Sequence, residues 1–83
     1  MESPSFDKPL VDKFARFAGA RFTEIGGLVE FVPADRFGDH LLARFPGRSA
    51  DRILLLGHTD TVWPAGEIEK RPFKIEGGRA FGP

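Results

Sequence analysis

The stretch Ile53-Leu54-Leu55-Leu56-Gly57-His58-Thr59-Asp60-Thr61-Val62 joins an unbroken apolar run to a glycine, and then to a histidine and an aspartate two residues apart. A short continuous apolar run suits a strand buried on both faces. Polar groups just past the end of a buried strand are where α/β proteins tend to place their chemistry. Residues i and i+2 of an extended segment point to the same side, so the spacing brings His58 and Asp60 towards one small volume. A histidine ligates a metal as the neutral imidazole, and a carboxylate on its other nitrogen fixes the tautomer and raises its basicity. Taken alone, His-x-Asp is weak evidence. A strand-end histidine facing solvent, with an aspartate bonded to its own turn, fits the same letters.

Outward from this run, the chain reads as one α/β unit. Upstream, Leu10, Val11, Phe14, Phe17, Ala18, Phe22 and Ile25 recur at three- and four-residue steps, which predicts an amphipathic helix. Ser5 or Asp7 caps its start, Pro9 falls in the first turn, and Gly26-Gly27 ends it. Gly19 costs about 1 kcal/mol against alanine inside such a helix, so a break there is the competing reading. Leu28–Val32 and His40–Phe45 read as strands, with a loop over 34–38 and a turn at Pro46-Gly47-Arg48-Ser49. Short connections favour antiparallel pairing. Arg52–Gly57 is then the third, innermost strand. Downstream, Phe73–Glu76 and Arg79–Phe81 flank Gly77-Gly78, a two-residue hairpin signal. The expected fold is a helix on a small, mostly antiparallel sheet, with Ile53–Leu56 at its centre.

Composition narrows the function classes. The chain has 83 residues, with 12 basic and 12 acidic side chains. That balance provides no general field for nucleic acid or an anionic membrane. No apolar stretch approaches the roughly 20 residues of a membrane span. The first residues lack the basic and apolar regions of a signal peptide, which gives a cytoplasmic expectation. There is no cysteine, and a chain of this length buries only roughly 60–65% of its unfolded surface, so stability is marginal. Nine phenylalanines without a tyrosine point to packing rather than to a polar binding surface.

The longer pattern is more specific. Leu-Leu-Leu-Gly-His-Thr-Asp-Thr-Val, then Trp63-Pro64 and Gly66, Arg71-Pro72-Phe73, and Gly77-Gly78-Arg79-Ala80-Phe81-Gly82-Pro83 resembles the zinc-dependent metallopeptidase family of glutamate carboxypeptidase, acetylornithine deacetylase and succinyl-diaminopimelate desuccinylase. Glu2-Ser3-Pro4-Ser5 before a helix and Gly38–Phe45 fit as well. The resemblance spans essentially the whole chain and is strongest to the glutamate carboxypeptidase branch. It implies that His58 is a zinc ligand and Asp60 the carboxylate that holds it. It further implies two zinc ions that activate a water, a glutamate general base, and hydrolysis of an amide bond next to a free carboxylate. Small peptides or N-acyl amino acids are the implied substrates, and a homodimer the implied assembly. Cobalt or manganese can substitute at such a site.

In that family the bridging aspartate, the general base and the remaining ligands follow the closing Gly-Pro, and a helix usually precedes the Ser-Pro-Ser segment. The expectation is therefore an internal piece of a catalytic domain, cut at both ends. It would be inactive alone, because one histidine cannot supply the about three protein ligands of a catalytic zinc. The competing expectation is a self-standing α/β binding module without metal. Other residues read as structural. His40 beside Asp39 has no ligand spacing around it, Trp63 packs over its loop, and Glu67, Glu69, Lys70 and Arg71 form a mixed-charge loop. The Phe14, Phe17 and Phe22 stripe reads as core, or as surface that the missing part of the sheet would cover.

Overall fold

In a computed structural model describing all 83 residues, α1 (Lys8–Glu24) is continuous through Gly19. Asp7 is its N-cap, and the Asp7 carboxylate accepts from the Leu10 N–H at 3.1 Å. At the other end Gly26 takes φ +90°; its N–H donates to Thr23 O at 3.0 Å, and that of Gly27 to Phe22 O at 2.8 Å. This is a Schellman stop, and its left-handed residue is a glycine because a side chain there would be strained.

β1 (Leu28–Val32) and β2 (His40–Arg44) follow as an antiparallel pair with Val29 opposite Ala43 and Phe31 opposite Leu41. The sheet lies on α1. The centre of that contact is Val11, Ala15 and Gly19 of the helix, the positions it buries most deeply. The phenylalanine stripe is only its margin: Phe17 and Phe22 are exposed, and Phe22 meets Phe45 edge-on at 6.1 Å. Small residues hold the middle because the sheet comes close. A Cβ on Gly19 would stand 2.7 Å from the Phe31 ring and 3.2 Å from Val29. That close approach explains a glycine inside a helix better than a helix break does.

The second half is more open. A single turn, α2 (Glu67–Lys70), replaces the expected loop. β3 (Lys74–Glu76) and β4 (Arg79–Phe81) form the hairpin, in antiparallel register with Glu76 opposite Arg79. Gly77 and Gly78 both have positive φ, 57° and 73°, as a two-residue primed turn requires. Neither α2 nor this hairpin packs on α1 or on the β1–β2 sheet.

The expected inner strand is not formed. Residues 51–60 carry no regular structure, and Ile53 to Leu56 are 80–91% exposed. A strand buried on both faces needs a neighbour on each edge and a layer above and below. Here β1 and β2 already pair with each other, α1 covers one face of their sheet, and no other element lies beside the run. The fold class stands as a helix with two small antiparallel sheets, and the sheet centre is β1–β2 rather than Ile53–Leu56.

Candidate metal-binding segment

The polar end of the run is held in place by the start of the chain. Ser5 N–H donates to Thr61 O at 3.0 Å and Thr61 N–H to Ser3 O at 2.8 Å, which makes an isolated parallel bridge between Pro4 and Thr61. Two side chains reinforce it. The Ser3 hydroxyl donates to Thr59 O at 2.6 Å, and the Ser5 hydroxyl to Thr61 O at 3.0 Å. Proline costs nothing at the bridge, because its missing N–H has no role there. Just beyond, the Glu2 carboxylate accepts from the N–H groups of Gly66 and Ile68, both at 2.9 Å. Those amides belong to the N-cap, Gly66, which has no side chain to cap with, and to the second residue of α2. A carboxylate from the far end of the chain thus takes the role a local cap would fill.

His58 and Asp60 meet as the spacing predicts. Nδ1 of His58 lies 3.1 Å from Asp60 Oδ1 and 3.0 Å from the Asp60 carbonyl oxygen. Both partners are acceptors, so Nδ1 carries the proton and Nε2 is left with its lone pair free. The His58 side chain is 84% exposed, so that lone pair is open to an incoming ligand. The Asp60 carboxyl is held below its ordinary value, first by the Ser5 hydroxyl, with its own backbone N–H and His58 adding to the effect against partial desolvation. The pair is therefore an ionised carboxylate facing the Nδ1 side of the imidazole, with Nε2 turned to solvent. It offers one candidate ligand, His58 Nε2. No group of three or more histidine, cysteine, aspartate or glutamate side chains converges anywhere in these 83 residues.

The remaining expectations sort out around this pair. His40 opens β2, exposed and opposite Val32, as a strand residue. Trp63 lies under the Arg71 guanidinium, 4.2 Å from the ring centroid. Arg71 Nε also pairs with Glu67 at 3.2 Å, and Lys70 with the same carboxylate at 2.9 Å. Glu67 is buried, so this cluster is a built corner rather than a solvated loop. The reading of the residues did not single out Glu2, Ser3 and Ser5 as contributors to the site. Their contacts span 56 to 66 residues and leave no periodic mark in the sequence.

Against known proteins, 46 residues of the chain, 55% of its length, align at 41% identity with carboxypeptidase G2 of Pseudomonas sp. (strain RS-16). The matched segment spans 11% of the length of that relative. No family model matches the chain, and no solved structure does. No helix is long and apolar enough to cross a membrane. The local likeness is to a carboxypeptidase, in a chain that carries a histidine–aspartate pair with a free imidazole nitrogen.

Proposed function

We propose that these residues are the first metal-ligand segment of a zinc-dependent hydrolase of the glutamate carboxypeptidase type, which cleaves an amide bond next to a free carboxylate. The observation that carries the reading is the His58–Asp60 pair, with Nδ1 committed to the carboxylate and Nε2 free. The 41% identity to carboxypeptidase G2 over 46 residues supports the reaction class.

In this reading His58 holds the metal through Nε2, and Asp60 fixes the ring and its tautomer. Zinc, when bound, supplies a Lewis acid for the substrate carbonyl and lowers the pKa of a water. Asp60 keeps its negative charge behind the imidazole and so raises the basicity of the ligating nitrogen. One histidine falls short of the about three protein ligands a catalytic zinc takes, so these 83 residues alone do not hydrolyse amides. The proposed substrates are small peptides or N-acyl amino acids, and the proposed assembly of the whole enzyme is a homodimer without nucleic-acid or membrane partners. A second reading, a metal-free α/β binding module, draws on the exposed Ile53–Leu56 run beside the site.

The test uses the protein encoded by the whole reading frame that contains these residues, assayed on N-acyl amino acids with a free carboxylate. Activity is expected to vanish with a chelator, return with zinc, and be lost in His58→Ala. Asp60→Asn is expected to lower metal affinity or activity by about 10–100-fold. Amide hydrolysis that is indifferent to chelation, or retained in His58→Ala, refutes the proposal. Absence of any hydrolysis together with capture of an apolar ligand by residues 53–56 favours the binding module.

A further inference from the structure

We infer that Glu2, Ser3 and Ser5 form a positioning clamp that sets the orientation of the His58–Asp60 pair. The inference rests on the metal-ligand reading above for its catalytic meaning and on the hydrogen bonds alone for its geometry.

His58 is 84% exposed, so packing does not fix its ring. What fixes the pair is the backbone on either side of Asp60. In an extended segment the carbonyls of alternate residues point one way. Those of Thr59 and Thr61 both point at the start of the chain, where the Ser3 and Ser5 hydroxyls donate to them at 2.6 and 3.0 Å. The Thr61 N–H is held by Ser3 O at 2.8 Å. The peptide units before and after Asp60 are therefore pinned, and the carboxylate between them is aimed at Nδ1 of His58. Ser3 is 2% exposed, so water does not compete for its bond. The Ser5 hydroxyl and the Ser5 N–H both donate to Thr61 O at 3.0 Å, so Ser5 acts on the backbone that follows the orienting group. Glu2 holds the exit of the same loop through Gly66 and Ile68. Because α2 and the hairpin do not pack on α1 or its sheet, this clamp ties the site to the helix–sheet unit. The roles separate by residue: Ser3 holds the backbone before Asp60, Ser5 the backbone after it, and Glu2 the path of the chain beyond.

The experiment uses the 83-residue chain labelled with nitrogen-15, without metal, at about pH 8, where a free imidazole is neutral. Nitrogen shifts of the His58 ring report the ratio of Nδ1–H to Nε2–H tautomer, and amide exchange reports Thr61, Gly66 and Ile68. In Ser5→Ala the Nδ1–H to Nε2–H ratio is expected to fall about fivefold, the weight of one ordinary hydrogen bond. Ser5→Thr keeps the hydroxyl and restores the ratio. Glu2→Gln speeds exchange at Gly66 and Ile68 by a similar factor. The α1 amides keep their protection in every variant. A ratio that stays within twofold in Ser5→Ala overturns the clamp, as does failure of Ser5→Thr to restore it. Loss of α1 protection in Ser5→Ala overturns it too, since the segment would then be a general prop. A separate arm adds Co(II) to the parent chain. Broadening at His58 no greater than at exposed His40 counts against the metal reading, while the tautomer result still decides the clamp.

Discussion

Replacing Gly38 with alanine tests how closely the loop between β1 and β2 rides on α1. A Cβ at this position would overlap Val11 Cγ1 and stand 2.7 Å from Val11 Cβ. Carbon pairs sit comfortably at about 3.5–4.0 Å, so the shortfall is about 1 Å. Rotating Val11 about χ1 moves its methyls but leaves Cβ where the helix backbone puts it. Relief therefore requires α1 and the loop to separate. That separation strains the bond from Asp39 N–H to the Asp12 carboxylate, now 2.7 Å, and the Lys8–Asp39 ion pair beside it. Overpacking of this kind costs about 1–3 kcal/mol, and a weakened hydrogen bond about 1 kcal/mol. Alanine regains about 0.4–1 kcal/mol by restricting the unfolded chain. Gly38 does not have a positive φ, so no torsional penalty enters. The net expectation is a destabilisation of about 2 kcal/mol, or a Tm lower by about 8–16 °C in a domain of this size. Urea titration followed by helix ellipticity measures it. Val11→Gly combined with Gly38→Ala is expected to be less damaging than the sum of the two by about 1 kcal/mol or more, because both Val11 Cβ and its methyls are gone. A Gly38→Ala protein as stable as the parent, or a strictly additive pair, refutes the argument.

Other perturbations have equally definite outcomes. The Glu2 carboxyl is held below its ordinary 4.5, first by the Gly66 N–H, and that of Asp39 below 3.8, first by Lys8. Their contribution is present above the unfolded values and is lost as pH falls through the lower folded ones. Denaturation midpoints are therefore expected to drop from about pH 4.5 downward, and a flat or rising midpoint there contradicts this. Lys8 lies above its ordinary 10.5, first through Asp39, so its contribution persists below 10.5 and fades as pH climbs through the raised value. Gly78→Val puts a β-branched residue at φ 73° and is expected to abolish the β3–β4 cross-strand proton contacts while leaving α1 intact. Loss of α1 as well would show coupling that the packing does not provide. Leu55→Lys replaces a side chain 90% exposed, so stability is expected to hold within about 0.5 kcal/mol while light scattering falls. Destabilisation by more than that would mean that Leu55 packs in the folded chain.

Elements set by neighbours in sequence were legible in the letters. Asp7, the three- and four-residue apolar steps and Gly26 delimit α1 closely, and Gly77-Gly78 marks its hairpin. The His58–Asp60 contact is local as well and follows from an i, i+2 spacing. Features that depend on distant partners were not legible. Ile53–Leu56 has the composition of a buried strand, but burial is a property of surroundings, and no element here surrounds it. α2 is a single turn capped by a carboxylate 64 to 66 residues away, so no local start signal exists. The helix face was legible in part, since Val11 lies on the expected apolar stripe and is buried. Bulky phenylalanines suggested the core, whereas the closest approach to the sheet selects Val11, Ala15 and Gly19.

The Ser3–Thr59 and Ser5–Thr61 contacts also order events in time. Helix α1, β1 and β2 meet through short separations, which form early. The clamp must first close a loop of some 56 residues, a chain-entropy cost of about 3–4 kcal/mol before any of its bonds form. During refolding, helix ellipticity should therefore recover before the His58 ring acquires its native tautomer. The loop that carries His58 and Asp60 is thus expected to assemble after the helix–sheet unit, not with it.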